Sequence, residues 1–535
     1  MRLTILSRAS DLARLQSLLV GRALIARWPD LDIVYLTRTS SGDRDSVTPL
    51  ASMPEKGAFT ADLTEALASG AADCVVHSWK DLPLEGRPDT VIAATLERAD
   101  TRDVLLVRRD VVAERPRELH VLSSSPRRVW LLEGALPELM PWPIDRVTFA
   151  PVRGNIQTRL KRLLEGRGHA LVVAKAALDR LLGFGEPFQE VAAEVRAALD
   201  LCRFMVLPLR DVPGAPAQGA VAIEVATSNT AARERVEAIC HKPTWDAVQA
   251  ERRVLAAHGG GCHEAVGATV VPREYGRIVS VKAKTSMGGS QDSWTLETEG
   301  VGSRWRKPDP TPCESGLRKP DPTPFDVRQV DGPGSGEKDA RQGDGSGLRH
   351  QDPSPYPRPD ERHATRRSLD IAQPADADGY WVARAEALPA SWNVSADRLV
   401  WAAGGRTWRK LAARGVWVHG CADGLGDVEP AAIDHLAGRE VAWLRLTHAA
   451  AAGPGALATY TVDETLPDDL PSRTHFFWTS GHQFTAALAR WPELAGRDHA
   501  SGPGRTFQTL RAALPAGSPP RVWLDYDHWL KEILA

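Results

Sequence analysis

Four polar side chains end an apolar run near the start of the chain. The segment VVHSWKDLP, at positions 75–83, passes within one turn from β-branched residues to His77, Ser78, Lys80 and Asp81. A strand over 72–79 would present a cation beside a carboxylate at its C-terminal end, the edge at which open α/β sheets usually bind ligands. A solvated turn with an incidental ion pair fits these residues equally well, so the segment alone leaves both interpretations open.

Arginines stand where several helices are predicted to begin. In SSSPRRVWLLEG, at 123–134, Ser125 fits an N-cap, Pro126 the first helical position and Gly134 a stop. A cation in the first turn opposes the helix dipole unless an anion is bound beside it. The arginines at or near such predicted starts are Arg127, Arg128, Arg153, Arg159 and Arg8.

Taken singly, each of these arginines also fits an exposed or salt-bridged side chain. A cleft that gathered all of them would suit a polyanionic small ligand, because guanidinium groups bind carboxylates and phosphates bidentately. The sequence contains no GxxxxGK[ST] phosphate loop, which favours carboxylates over a nucleotide phosphate.

Cys262 follows three glycines and precedes His263. A bare glycine loop lets a bulky group approach, and a neighbouring histidine favours the thiolate, so this cysteine fits a nucleophile or a covalent attachment point. The alternative is a small buried residue beside a turn. Cys74 and Cys202 lie in apolar patterns and are predicted to be core residues.

The elements that must position these residues follow an α/β pattern from residue 1 to about 300. Short β-branched runs alternate with helical segments such as DLARLQSLLVGRALIARW, in which apolar residues recur every three or four positions behind Ser10 as an N-cap. Between about 302 and 366 the composition shifts to Pro, Gly, Asp, Arg and Ser, with RKPDPTP and SGLR repeated, which predicts a flexible linker. Globular, tryptophan-rich composition returns from about 370 to 535 and indicates a separate domain.

Composition bounds the class of protein. A chain of 535 residues suggests roughly three to four compact units. The charged fraction of 25% and the formal charge of -2 argue against a nucleic-acid or membrane-surface binder. We find neither a signal-peptide core nor the roughly 20 apolar residues of a membrane span, and therefore expect a cytoplasmic protein. Scattered cysteines without a CxxC pair predict neither disulfides nor a structural metal.

A series of ordered motifs resembles the hydroxymethylbilane synthase family, also called the porphobilinogen deaminases. The similarity runs from residue 3 to about 270, and its motifs are SRAS, TSSGD, EKGAF, HSWKDLP, SSSPRR, RGNIQTRL, APAQGA and GGGCH. Departures from the family pattern are Pro126, Ala217 and a third glycine before Cys262. None of them removes a charged or nucleophilic group.

The resemblance implies an α/β fold with two lobes like those of type II periplasmic binding proteins and a small α/β domain that carries the cysteine. Lobe 1 would comprise 1–97 and 213–238, lobe 2 would comprise 98–212, and the cysteine domain would comprise 239–301. A flexible linker over 302–369 and a separate α/β domain over 370–535 would follow.

The resemblance also implies the reaction. Cys262 would hold a dipyrromethane cofactor through a thioether bond, on which four porphobilinogen molecules are deaminated, joined head to tail and released as hydroxymethylbilane. Asp81 would stabilise the positive charge that develops on pyrrole nitrogens. The carboxylates of the cofactor would be bound by Lys80, Ser78, Ser125, Arg127 and Arg128, and those of the substrate by Arg8, Ser10, Arg153, Arg159, Lys56 and Gln218. We expect a monomer whose partner is porphobilinogen.

Two alternatives stay open at this point. VWVHGCADGLGD (416–427), FFWTSG (476–481) and SGPGRT (501–506) resemble parts of uroporphyrinogen-III synthase, which would make the chain a bifunctional fusion. Against this, the C-terminal region is short for that family's two-lobed fold. A non-catalytic small-anion binding protein is the other alternative, because the lobed fold also serves solute receptors.

Overall fold

The computed structural model describes residues 2–39, 61–259, 265–284, 289–298, 353–362, 365–463 and 465–534. No helix in these ranges is long and apolar enough to cross a membrane. Contacts divide the chain into two compact units. The first comprises Met1–Leu317, Thr365–Asp463 and Pro503–Arg505, and the second comprises Arg318–Ala364, Glu464–Gly502 and Thr506–Ala535.

Residues 2–298 alternate strands and helices, as the sequence pattern predicts. The first part contains β1 (Arg2–Arg8), α1 (Asp11–Arg27), β2 (Asp32–Arg38), α2 (Ala61–Ala68), β3 (Cys74–Ser78), β4 (Thr90–Thr95), β5 (Asp103–Arg108), α3 (Arg109–Glu114), β6 (Glu118–Leu122), α4 (Pro126–Leu139) and β7 (Arg146–Ala150). The second part contains α5 (Ile156–Leu164), β8 (Ala170–Ala174), α6 (Lys175–Gly183), α7 (Gln189–Asp200), β9 (Cys202–Val206), β10 (Val221–Ala226), α8 (Thr230–Glu237), α9 (Lys242–Ala257), β11 (Val266–Arg273), β12 (Gly276–Lys284) and β13 (Ser290–Glu297).

The first sheet, which we call lobe 1 together with its helices, has the strand order β2-β1-β3-β10-β4. β1 is parallel to β2 and β3, whereas β10 returns from later in the chain and is antiparallel to β3 and β4. Its core is aliphatic, with Ile5, Val76 and Ile223 buried in one cluster. Because β1 and β3 are parallel, their C-terminal residues Arg8 and Ser78 lie at the same edge of the sheet.

The second sheet, which we call lobe 2 together with its helices, has the strand order β7-β6-β8-β5-β9. β6 is parallel to β7 and β8, and β5 is antiparallel to β8 and β9. A separate antiparallel sheet, β11-β12-β13, follows α9. Cys74 and Cys202, at the starts of β3 and β9, are both buried, which confirms the prediction that they belong to the core.

The helix that starts at Pro126 differs in length from the prediction. Ser125 is its N-cap and Pro126 its first residue, as expected, but the helix continues through Gly134 to Leu139. The predicted stop at Gly134 is therefore wrong. No neighbouring atom lies within 4 Å of a Cβ built on Gly134, so this glycine faces open space, where it weakens a helix by only about 1 kcal/mol.

Residues 353–534 build two further sheets. Their elements are β14 (Pro355–Tyr356), β15 (Thr365–Ser368), β16 (Gly379–Val382), β17 (Leu399–Ala402), α10 (Gly405–Ala412), β18 (Gly420–Cys421), α11 (Asp434–Ala437), β19 (Trp443–His448), β20 (Ala456–Asp463), β21 (His475–Trp478), α12 (Gly481–Arg490), β22 (Asp498–Ser501), α13 (Arg505–Ala513), β23 (Arg521–Val522) and α14 (Tyr526–Leu534). The second unit holds the parallel sheet β14-β21-β22-β23. The first unit holds β15-β20-β19-β16-β17-β18, in which only the β15–β20 pair is antiparallel.

The six-stranded sheet, with residues 365–463, packs on lobe 2, and we call it the docked lobe. One hydrophobic cluster contains side chains of both, including Leu132 and Leu139 of α4 and Trp408 of α10. The indole Nε1 of Trp408 donates to the Leu139 carbonyl at 2.9 Å. The fused core shows that the docked lobe and lobe 2 bury apolar surface against each other.

Polar contacts join the same two lobes at their sheet edges. The Val206 amide of β9 donates to the His419 carbonyl, next to β18, at 2.8 Å, and the Trp417 indole donates to the Phe204 carbonyl at 3.1 Å. The Arg409 guanidinium pairs with Asp211 at 2.6 Å. The docked lobe is therefore attached through backbone, aromatic and ionic contacts together.

This arrangement differs from the expected domain boundaries. The range 370–535, expected to be one separate domain, is shared between the two units, because residues 365–463 pack on lobe 2. The expected linker 302–369 also ends earlier than predicted. Tyr356 is buried against Phe476 and Trp478, and β15 pairs with β20, while residues 302–352 lie outside the described ranges.

Candidate active site

The segment after β3 presents Lys80 and Asp81 at the edge of lobe 1. β3 ends at Ser78, and Trp79–Asp81 form a single 3-10 turn. Trp79 is buried against Trp245, with ring centroids 5.2 Å apart, and this contact anchors the turn. Lys80 is half-buried and Asp81 is exposed, so an exposed carboxylate lies beside a half-buried cation.

His77, another polar residue of this segment, stabilises the fold. Its Nε2 lies 2.8 Å from Glu224 Oε2 across the β3–β10 pair, and Thr90 donates to the other oxygen of Glu224. Burial would raise the pKa of Glu224, but the contacts with His77 and Thr90 outweigh it and lower that pKa. The pair holds β10 in lobe 1 and lies inside the protein.

Arg127 and Arg128 are buried in the first turn of α4, and their anion is a residue of the chain. Arg127 Nη2 and Arg128 Nη2 each lie 2.7 Å from a carboxylate oxygen of Asp103, the first residue of β5. Both arginines are at least nine-tenths buried. The sequence predicted an anion beside these cations, but it did not indicate that Asp103 supplies part of the negative charge.

Gln218 connects this ion cluster to lobe 1. Its Nε2 donates to Asp103 Oδ1 at 2.9 Å and to the Thr101 carbonyl at 2.8 Å, and its Oε1 accepts from Lys80 Nζ at 3.1 Å. Gln218 is fully buried and bridges Lys80 and Asp103. Its expected role as a substrate ligand stays a prediction. Ala217 before it has a positive φ of 65°, a conformation in which glycine is more usual.

Arg159 belongs to the same cluster of charges. It lies in the first turn of α5, where Asn155 caps the helix by accepting from the Thr158 amide. Burial, together with the neighbouring cations Arg128, Arg153 and Arg8, lowers the pKa of Arg159 to about 10 against the opposing effect of Asp81. The five arginines and Lys80 therefore share one region with Asp81 as its exposed carboxylate.

The three candidate serines differ in what they do. Ser10 precedes α1 as predicted, but its side chain makes no capping bond. Ser78 exchanges hydrogen bonds with the Gln16 amide group at 3.0 and 3.1 Å. Nothing in the sequence except its position in α1 pointed to Gln16. Ser125 accepts from the Arg128 amide at 3.4 Å and so caps α4. Lys56 and Cys262 lie outside the described residues.

The fold and site define an α/β protein with a cluster of cations, two of them buried arginines, beside one exposed carboxylate. The model of the family described as "Porphobilinogen deaminase, dipyromethane cofactor binding domain" matches residues 3–234. A porphobilinogen deaminase of Sorangium cellulosum is 36% identical over 270 residues, which are 50% of this chain and 82% of that protein. One of Mycolicibacterium gilvum is 37% identical over 49% of this chain and 76% of that protein. The chain belongs to the porphobilinogen deaminase family.

Membership of this family makes the chain a hydroxymethylbilane synthase, a transferase of porphyrin biosynthesis that uses a dipyrromethane cofactor. It also sets aside the non-catalytic anion-binding alternative. Among solved structures, one concerned with glutathione import in Streptococcus mutans matches 49% of this chain and 96% of its own. The sequence identity is 9% and the TM-score is 0.25, so no functional conclusion follows from this match.

The described residues fit a cofactor with several carboxylates. Asp103 supplies one negative charge to two buried guanidinium groups. Arg127 Nε is buried without a hydrogen-bond partner in the described part of the chain. Burial lowers the pKa of Arg127, and the adjacent Arg128 lowers it further, although Asp103 acts in the opposite direction. The cluster thus has an excess of positive charge and an unused donor, both of which a carboxylate would satisfy.

Proposed function

We propose that the cations of this cluster bind the carboxylates of porphobilinogen and of the cofactor, while Asp81 faces the pyrrole nitrogens. The observation that carries the proposal is the grouping of Lys80, Arg128 and Arg159 around one exposed carboxylate. When bound, dipyrromethane supplies the free pyrrole carbon to which substrate units are joined. The chain's own residues then bind, orient and stabilise charge.

Each group has a distinct part in this proposal. Arg127 and Arg128, fixed on α4, bind carboxylates deep in the cluster, and Arg8, Arg153 and Arg159 bind those nearer solvent. Asp81 accepts hydrogen bonds from pyrrole N–H groups and stabilises the positive charge that appears on them as ammonia leaves.

Cys262 is the proposed anchor of the cofactor, and Lys56 a proposed further carboxylate ligand. Both assignments rest on GGGCH and EKGAF in the sequence. We also propose the two-lobed arrangement of type II periplasmic binding proteins for 1–97 with 213–238 and for 98–212, and a monomer in the cytoplasm. The return of β10 to lobe 1 after β9 of lobe 2 supports the first of these.

The pH dependence of the reaction tests the part played by Lys80. Burial, and then the adjacent Arg128, lower the pKa of Lys80 to about 8. We expect kcat/KM for porphobilinogen to fall as pH rises through this value, because the neutral amine no longer pairs with a carboxylate. Lys80→Arg stays positively charged at these pH values, so its kcat/KM should not fall. If kcat/KM of Lys80→Arg falls over the same pH range as that of the unaltered protein, the assignment is wrong.

The lowered pKa of Lys80 also affects the stability of the fold, and here a rise in pH is favourable. The folded-state pKa of Lys80 lies below its ordinary value of 10.5, so the unfolded chain binds the proton more tightly. The resulting penalty on folding is complete below pH 8 and is relieved as pH rises towards 10.5. Loss of activity above pH 8 therefore cannot be ascribed to unfolding through this group.

We propose as a second function that residues 353–534 act as a uroporphyrinogen-III synthase. Two features support it. The chain leaves the sheet of the second unit after β14, completes the six-stranded sheet, and returns to build β21-β22-β23, a nested two-sheet topology. FFWTSG and SGPGRT each lead from a parallel strand into a helix, α12 and α13, at the strand edge where such sheets bind ligands.

The isomer of the product tests this second function. We expect full-length protein supplied with porphobilinogen to give uroporphyrin isomer III after oxidation, because a tethered synthase receives the unstable bilane at high effective concentration. A variant that ends at Asp463 keeps the docked lobe and lacks most of the second unit, so it should give isomer I. Isomer I from both proteins would overturn the proposal.

A further inference from the structure

Asp103 is the most heavily bonded carboxylate of the cofactor site. It is fully buried and accepts from Arg127 Nη2 at 2.7 Å, from Arg128 Nη2 at 2.7 Å and Nε at 3.2 Å, and from Gln218 Nε2 at 2.9 Å. Its neighbouring cations hold the pKa of Asp103 well below its usual range, although burial acts to raise it. The carboxylate is therefore ionised, and its two oxygens are saturated by the protein.

The arginines are fixed at a second point as well. Arg127 Nη1 donates to the Pro213 carbonyl at 2.6 Å, and Arg128 Nη1 donates to the Val172 carbonyl at 3.2 Å. Asp103 thus holds Arg127 by one nitrogen and Arg128 by two, and a backbone carbonyl holds Nη1 of each guanidinium. Two fixed contacts set the orientation of a planar group, which leaves Arg127 Nε and the excess charge for a ligand.

We propose that Asp103 is the positioning residue of the cofactor site. It orients Arg127 and Arg128 for carboxylates of the cofactor and, through Gln218, places Lys80 of the other lobe towards the same ligand. Asp103 touches neither cofactor nor substrate in this role. The inference rests on the proposed function, because it requires these cations to bind the carboxylates of the cofactor.

A merely structural role would look different. A carboxylate that only stabilises the fold would, when removed, lower stability equally with and without the cofactor. A positioning residue prepares its arginines for the cofactor, so its loss weakens the contacts that the cofactor makes with them. Loading of the cofactor should then add less stability to a variant without the Asp103 charge than it adds to the unaltered protein.

The test compares Asp103→Asn with Asp100→Asn in full-length protein. Asp100 is a matched control, since it pairs with Arg102 and Lys175. Cofactor content is followed by intact mass, and Tm is measured before and after loading with porphobilinogen. We expect Asp103→Asn to show a smaller rise in Tm on loading than the unaltered protein, and a KM for porphobilinogen raised about tenfold or more. Asp100→Asn should lower both Tm values equally and leave KM unchanged.

Gln218→Met keeps the test decisive if Asp103→Asn does not fold. It removes the bridge to Lys80 but leaves the ion pairs of Asp103 with both arginines, so KM should rise while Tm falls little. If the variant that folds has the same KM and the same rise in Tm on loading as the unaltered protein, the positioning role of Asp103 is wrong. The proposed carboxylate site would still stand in that case. An unchanged KM in Arg128→Gln would overturn the proposed carboxylate site, and the role of Asp103 with it.

Discussion

Replacing Asp81 with alanine is expected to lower the turnover of porphobilinogen by about 10²–10³-fold or more, the effect of removing one preorganised group that stabilises transition-state charge. Asp81 is the exposed carboxylate in a cluster of cations, and the described residues of the cluster hold no other acid that reaches solvent there. The loss should appear in kcat more than in KM, because pyrrole cations form only during reaction. Turnover is measured on protein whose intact mass confirms the cofactor.

Two further variants serve as controls for the charge and for the position of Asp81. Asp81→Asn keeps the size of the side chain and loses its charge, so it should be almost as impaired as Asp81→Ala. Asp89→Ala removes another exposed carboxylate of lobe 1 and should retain normal turnover. A loss of less than about tenfold in cofactor-loaded Asp81→Ala would exclude electrostatic stabilisation as its main role.

Replacing Trp408 with alanine is expected to lower the free energy of unfolding of the first unit by about 3–5 kcal/mol, as for other large aromatic side chains removed from a core. Trp408 is fully buried and contributes to the cluster shared by the docked lobe and lobe 2. Its loss also leaves the Leu139 carbonyl at the end of α4 without its indole donor. Deaminase activity remaining after heating measures the effect.

The matched control is Trp529→Ala in the second unit. Trp529 is as deeply buried as Trp408, in a cluster with Phe477 and Tyr526. We expect this variant to destabilise the second unit while the temperature of deaminase inactivation stays unchanged. Equal inactivation temperatures for Trp408→Ala and the unaltered protein would show that the docked lobe adds nothing to the stability of lobe 2.

Local sequence signals predicted the parts of the site that depend on one element. Strand β3 and the turn after it were expected from an apolar run that stops at polar residues, and the start of α4 was expected from its N-cap. Such features depend on neighbours within a few positions, so they can be deduced from spacing. The end of α4 could not be deduced from spacing, because packing on α10 stabilises the last turns of α4 beyond Gly134.

Contacts between distant residues were missed for a physical reason. Asp103 opens an ordinary strand, and only the fold brings it to the arginines of α4, so its polarity resembled that of any strand end. The burial of Gln218 has the same origin. The docking of residues 365–463 was also not expected, because a tryptophan-rich sequence predicts a core but does not say which surfaces will meet in it.

The contact between β9 and β18 has a consequence for solubility. β9 is the last strand of the lobe 2 sheet and β18 the last strand of the docked lobe's sheet, and the bond from the Val206 amide to the His419 carbonyl joins them. Edge strands with unpaired backbone groups invite other chains to add to the sheet, so each of these edges shields the other from aggregation. Separating residues 365–463 from lobe 2 would uncover both edges at once, and each part would need new charges or a new covering segment to stay soluble.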